Sequence, residues 1–307
     1  MRVSAGVAGL FALAVAVAEA FVVPLTTMPA HHRPSSHFHS SPPPMMSLQG
    51  NEKVVVYAGF ERIAMTLLKS LGDAGFQPVC PVPAGFTKDS KVKWVLDGLA
   101  PTLPPKVELA PGRAGVPAGV EGCVLASEAP VTGEECVGAL NLLQGVSKVV
   151  FLSRVGVERR GNFMLKINPF LKLDAWYEAE EAVKAWCSQN SVELTIVRTG
   201  NLEGGPFYHC QPEFQAALEG SLFDVEHKAM KLSGADTFDG ATSRDLVSVG
   251  VVQALKRDVP VFSLVSAKDG PLRCSVRNHM NLPVEQNKER VVWTPSDAEW
   301  DAAFSQL

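Results

Sequence analysis

Lys53-Val54-Val55-Val56-Tyr57-Ala58-Gly59-Phe60-Glu61-Arg62-Ile63-Ala64 is the stretch on which the fold of this 307-residue chain turns. Lys53 to Ala58 is a short, nearly continuous apolar run, which is what a strand buried on both faces of a parallel sheet requires; a half-exposed strand would alternate. Ile63, Leu67, Leu68 and Leu71 then recur at helical spacing, ending at Gly72 or Gly75. Gln77-Pro78-Val79-Cys80 follows as a second strand, so the segment reads as one β-α-β unit.

The same alternation continues downstream. Gly122 to Ala126 is a central strand, Glu134 to Gly145 a helix, and Lys148 to Ser153 the clearest strand in the chain. A long helix over 171–189 leads into the buried-strand pattern Val192 to Arg198. Strands alternating with helices predict an α/β fold with a doubly wound parallel sheet. The Pro- and Gly-rich stretch 81–119 offers only a helix near Val92 to Leu99 and a strand at Lys106 to Leu109. Beyond Gly204 the expected elements are a helix at Gln211 to Glu219, a strand at Lys228 to Leu232, a helix at Arg244 to Lys256 and a strand at Val259 to Val265. Thr294 is placed to cap a last helix begun by Pro295, with Trp300 and Phe304 sharing a face. The organisation expected is a sheet domain over 51–203 and a small C-terminal portion over 204–307 packed on it.

Ahead of the sheet lies a leader. Residues 1–20 carry one positive charge at Arg2, an apolar run from Val7 to Ala18 and the small-residue site Ala18-Glu19-Ala20, the grammar of a cleaved signal peptide. The apolar run is shorter than the roughly 20 residues that cross a bilayer. Ala20-Phe21 with Val22-Val23-Pro24 resembles the cleavage motif of plastid precursors in algae with secondary plastids, where a transit peptide follows the signal peptide. Residues 21–50 suit a transit peptide or disordered leader, with four His, several Ser, Ser41-Pro42-Pro43-Pro44 and no Asp or Glu. The expected destination is the plastid (chloroplast) stroma or the thylakoid periphery. The alternative is the secretory pathway, which predicts disulfides. The six cysteines have no paired short spacing and most sit among apolar residues, the pattern of buried free thiols. With 28 basic against 32 acidic residues the chain has no basic excess for nucleic acid, and no run of about 20 apolar residues follows the leader.

Three segments in order carry a family resemblance: Asn141-Leu142-Leu143 before the strand ending at Ser153, then Thr195-Ile196-Val197-Arg198-Thr199-Gly200-Asn201-Leu202, then Ser243-Arg244-Asp245-Leu246-Val247. Over residues 53–265 the chain resembles the atypical short-chain dehydrogenase/reductase-like proteins, including the NmrA-like NAD(P)-binding proteins and their plastid relatives. That resemblance implies a Rossmann-like sheet, NADP or NAD as cofactor, and hydride chemistry run by a Tyr, a Lys four residues later and a Ser.

The motifs depart from that pattern in two places. The three glycine positions after the first strand hold Ala58, Glu61 and Ala64, so Glu61 puts a carboxylate at the helix start where a pyrophosphate needs free N–H donors. Gly59 can absorb part of the turn and Arg62 can reach the phosphates. After the second strand, Cys80-Pro81-Val82-Pro83-Ala84-Gly85 has neither an acidic nor a basic residue for the ribose; Lys88, Lys91 and Lys93 lie just beyond it. In the catalytic apparatus, Ser153 stands at a strand end, but the family spacing puts Lys172 and Trp176 in the Tyr and Lys positions. A shifted reading recovers Tyr177 with Glu181 in the lysine's place, and a carboxylate there disfavours phenolate.

The candidate catalytic residues are therefore Ser153 and Tyr177, and the candidate cofactor-binding residues Gly59, Arg62, Arg154 and Arg198, the two arginines because open α/β sheets bind ligands at strand ends. His209, His227 and His279 are isolated, with no metal-ligand spacing. Two functions stay open on the sequence. One is an accessory, assembly or redox-responsive scaffold protein of the plastid, its dinucleotide site lost and its partner an organelle protein complex. The other is an NADP(H)-dependent oxidoreductase or isomerase acting on a small hydrophobic substrate. A regulatory variant, in which dinucleotide occupancy biases an interaction surface, lies between them.

Overall fold

The computed structural model describes residues 47–57, 61–82, 107–166, 168, 171–203, 229–267 and 295–307. The leader, the expected helices near Val92 and over Gln211 to Glu219, and Ala58 to Phe60 lie outside these residues. All described residues fall in one compact unit.

The opening stretch folds as its pattern demands. β1 (Lys53–Tyr57) buries Val54, Val55 and Val56, and α1 (Arg62–Asp73) buries Ile63, Leu67, Leu68 and Leu71. Gly75, at φ +94°, turns the chain out of the helix and into β2 (Gln77–Val82). Then come β3 (Glu108–Pro111), a 3-10 turn at Arg113–Gly115, β4 (Val120–Leu125), α2 (Gly133–Leu140), β5 (Lys148–Arg154), a short α3 (Phe163–Lys166) and α4 (Leu173–Asn190). The chain continues through β6 (Glu193–Thr199), β7 (Asn201–Glu203), β8 (Ala229–Ser233), β9 (Ala241–Ser243), α5 (Arg244–Lys256), β10 (Val261–Ala267) and α6 (Asp297–Phe304).

One eight-stranded sheet holds the molecule together, in the order β3-β2-β1-β4-β5-β6-β10-β8. Every pairing in it is parallel except that of β8 with β10. The order reverses between β1 and β4, which makes this a doubly wound, Rossmann-like α/β sheet with its switch point there. Because β8 and β10 belong to this sheet, it runs across the boundary expected at residues 203 and 204.

Side chains alternate between two cores, as the strand period requires. Val54 and Val56 face one core with residues of α1, α5 and Trp300 of α6, while Val55 faces the other with residues of α2 and α4. Gly200 lies so close to Gly240 that a Cβ there would stand 2.1 Å from the Gly240 carbonyl oxygen. That contact lets β7 pair with β9 directly after the sheet's sixth strand.

Two helix boundaries differ from the expectation. α2 stops at Leu140, short of Gly145; its start is set by a capping box between Thr132 and Glu135. α6 is capped by Ser296 reciprocally with Glu299, two residues later than a Thr294 cap would place it. The cysteines Cys80, Cys123, Cys136 and Cys187 are buried free thiols. Among the described residues no helix is long and apolar enough to cross a membrane.

Candidate functional site

Open sheets of this kind present their ligand crevice at the carboxyl ends of the strands flanking the switch point, here β1 and β4. The N-terminus of α1 opens onto that crevice, and its first N–H groups have no partner within the helix. In this chain they meet a carboxylate from β4's far end. Glu128 Oε1 accepts the Ile63 N–H at 3.1 Å. Arg244, the first residue of α5, clamps the same carboxylate, with Nε 2.8 Å from Oε1 and Nη2 on Oε2.

Glu61 completes the arrangement from the other direction. As the N-cap of α1 it makes no side-chain bond to its own helix; it reaches back across the crevice. Its Oε1 accepts the Ser127 hydroxyl at 3.1 Å and its Oε2 accepts the Glu128 N–H. Each glutamate thus caps the segment that carries the other. Burial pushes the Glu61 carboxyl above its ordinary value, the charge of Glu128 adds to this, and the Glu128 N–H, Ser127 and Arg244 oppose it.

A second buried cluster takes up two of the sequence candidates. The Ser153 hydroxyl donates to Glu180 Oε1 at 2.6 Å. Arg198 meets the same carboxylate twice, Nε at 3.0 Å and Nη2 at 2.7 Å, and its Nη1 donates to Glu158. Glu180 is 0% exposed and Arg198 3%, so this pair is sealed inside the protein between α4 and the sheet. Burial works against the Arg198 charge, but Glu180 and Glu158 outweigh it and hold the guanidinium above its ordinary range. Behind it, Asp236 accepts the Gly156 and Glu158 N–H groups at 2.7 and 2.9 Å, fixing the turn after β5.

The remaining candidates separate. Tyr177 sits half-buried on α4 with the Arg160 guanidinium 3.4 Å over its ring centroid. Glu181, one turn on, is exposed and pairs with Lys184 at 2.8 Å. Arg154 closes β5 on the face opposite Ser153, half-buried, and has no hydrogen bond or ion pair among the described residues; burial alone lowers its pKa. Gly59 lies outside the described residues, and of Arg62 the backbone alone is described, as the first residue of α1.

No family profile matches the chain, and no curated protein does. Solved structures give fold-level likenesses. The reductase domain of an aureusimine biosynthetic cluster is 12% identical with a TM-score of 0.49, over 85% of this chain and 78% of that one. The Bordetella bronchiseptica enzyme WbmF, solved with NAD+ and UDP, is 12% identical with a TM-score of 0.48, over 85% and 88%. Vestitone reductase from alfalfa (Medicago sativa) is 13% identical with a TM-score of 0.44, over 70% and 78%. At these identities the likeness stops at the outline of the fold.

The Rossmann-like fold implies a dinucleotide, and the residues at the switch point do not fit one. A pyrophosphate needs the free N–H groups of α1, and Glu128 already holds one of them while Glu61 adds a second carboxylate beside it. A phosphate would have to displace the Glu128 carboxylate, which already accepts from the helix and from Arg244, with the Glu61 carboxyl packed beside it.

Sequence reasoning found Glu61 but missed Glu128 and Glu180. Glu128 has no local signal, since its partners Ile63 and Arg244 are 65 and 116 positions away. Glu180 had one: Leu173, Trp176, Glu180, Val183 and Cys187 form a single buried helical stripe, and a carboxylate inside such a stripe announces a buried cation opposite.

Proposed function

We propose that this protein uses the dehydrogenase-type sheet without its hydride chemistry, as an accessory or assembly protein acting through protein partners. The observation that carries this reading is Glu128 seated on the N-terminus of α1 and clamped by Arg244, where a dinucleotide phosphate would have to bind. The buried Ser153–Glu180–Arg198 cluster supports it, because a serine whose hydroxyl is given to a sealed ion pair is not free to orient a carbonyl. The leader supports a plastid as the place of action, with an organelle protein complex as partner; a fluorescent fusion to residues 1–50 that collects outside the plastid would move the protein to the secretory pathway.

An NADP(H)-dependent oxidoreductase or isomerase acting on a small hydrophobic substrate is the second reading. It is favoured by the strand order, which retains the dinucleotide switch point, and by Arg154 at the sheet's ligand edge, which has no hydrogen bond or ion pair among the described residues. Calorimetric titration of the purified full chain with NADPH separates the two. The accessory reading expects no saturable heat; micromolar saturation would overturn it, and turnover of a substrate would then be needed to separate the oxidoreductase or isomerase from a regulatory use of the dinucleotide.

A further inference from the structure

The short turn α3 is held down by one side chain and shows two others to water. Leu165 reaches toward Gly156, where a Cβ would lie 3.6 Å from Leu165 Cδ1 and 3.3 Å from Leu173 Cδ1 of α4. The start of the turn is fixed by Asn162, whose Oδ1 accepts the Met164 N–H at 2.9 Å. Phe163 and Met164 are each 73% exposed. Among the described residues no other large apolar side chain is as exposed, and no other two exposed ones are adjacent. Side chains left this far in water contribute little to folding, since apolar stabilisation follows the area removed from water.

The charge around this turn has one sign. In a chain of net charge −4, the span 159–172 holds Arg159, Arg160, Lys166 and Lys172 and no Asp or Glu. Arg159 is tied to Asp239 and the Phe238 carbonyl, and Arg160 lies over the Tyr177 ring with Asp174 3.7 Å away. Lys172 is exposed and has no ion pair among the described residues. Further along α4 the exposed Glu178 and Glu181 reverse the sign, so the basic zone is confined to the α3 end.

The size of the apolar patch decides the partner. A stable protein interface buries about 800 Å² on each side, far more than two side chains supply. A bilayer takes in single aromatic and aliphatic side chains, and its anionic headgroups attract the lysines beside them. We infer that the α3 turn docks on an anionic lipid surface, with Phe163 and Met164 entering the interface and Lys172 at the headgroups. With two anchoring side chains the docking is weak and reversible. Neither functional reading assigns this surface, and it shares no residue with the Glu61–Glu128–Arg244 clasp, so lipid binding and the closed phosphate position succeed or fail separately.

The test is co-sedimentation of the purified full chain with vesicles of phosphatidylcholine mixed with phosphatidylglycerol, and with vesicles of phosphatidylcholine alone. The mixed vesicles should bind at least about five-fold more strongly, the factor that one lysine contributes near such a surface, and added salt should weaken that binding. Lys172→Gln should weaken it by about the same factor. Phe163→Ser with Met164→Ser should weaken it at least about ten-fold, since burying one such side chain is worth about that much, while the thermal melt stays that of the unaltered chain. The inference is overturned if the chain binds neither kind of vesicle, if both kinds bind alike, or if either variant binds the mixed vesicles as tightly as the unaltered chain. It is also overturned if light scattering shows the paired changes converting a dimer to a monomer, which would give the patch to a second copy, or if polyglutamate binds as tightly as the mixed vesicles, which would give it to an acidic polypeptide.

Discussion

Glu128 does with its own side chain what a bound phosphate does at other helix N-termini: it accepts a free N–H of α1 and neutralises a neighbouring arginine. Glu128→Ala should therefore remove two hydrogen bonds from the buried Arg244 and one from the start of α1, and lower the stability measured in a denaturant melt. It also vacates an anion position. Denaturant melts should show phosphate restoring part of the lost stability in Glu128→Ala beyond any gain in the unaltered protein, by mass action on the folded state; equal gains in both would mean that no anion position had opened. Glu61 gives a pH dependence. Its folded pKa is raised, so its contribution to stability is fully present below the unfolded value of about 4.3 and is lost as pH rises through the elevated folded value. The stability deficit of Glu61→Ala should thus be larger near pH 4 than near pH 7 in urea titrations; the opposite trend would mean that the carboxylate is held charged.

At the scale of elements, the Ser153–Glu180–Arg198 cluster ties α4 to β5 and β6. Glu180→Leu should cost about 3–5 kcal/mol by leaving the buried Arg198 with Glu158 as its remaining carboxylate, while the pair of changes Glu180→Leu with Arg198→Leu should recover much of that loss. Gly200→Ala should be as damaging without touching any charge, because its Cβ would collide with the Gly240 carbonyl that β7 and β9 are built around; a thermal melt within a degree or two of the unaltered protein would show that this junction yields. The elements themselves were legible wherever one segment reports its own burial. The valines of β1, the Ile63 to Leu71 stripe of α1 and the span Arg244 to Lys256 of α5 all carry their period in the sequence. Boundaries set by a cap were less so: Thr132 and Ser296 are ordinary polar residues until Glu135 and Glu299 are seen to answer them. The strand-end positions of Ser153, Arg154 and Arg198 were legible too, but not what each touches, since Glu180 comes from the helix packed across them and Glu158 from the turn beyond.

Over the whole molecule, the two faces of the sheet have come to differ in use. The face of α1 and α5 is closed at its ligand edge by the Glu61–Glu128–Arg244 clasp and at its far side by α6, whose buried Trp300 stacks on Phe304 at 5.8 Å while Phe304 meets Phe262 edge-on at 5.2 Å. On the face of α2 and α4 the Tyr57 hydroxyl is buried without a hydrogen-bond partner. A fold whose strand order points to a dinucleotide thus carries, at the one place where a dinucleotide needs empty donors, two carboxylates of its own. The most direct measurement of that claim is the titration of the purified full chain with NADPH, followed by calorimetry and by nicotinamide fluorescence. The closed site predicts no saturable signal up to about millimolar ligand, where binding energy is only about 4 kcal/mol. Saturation in the micromolar range would mean that Glu128 leaves α1 for the cofactor, and the account would be wrong at its centre.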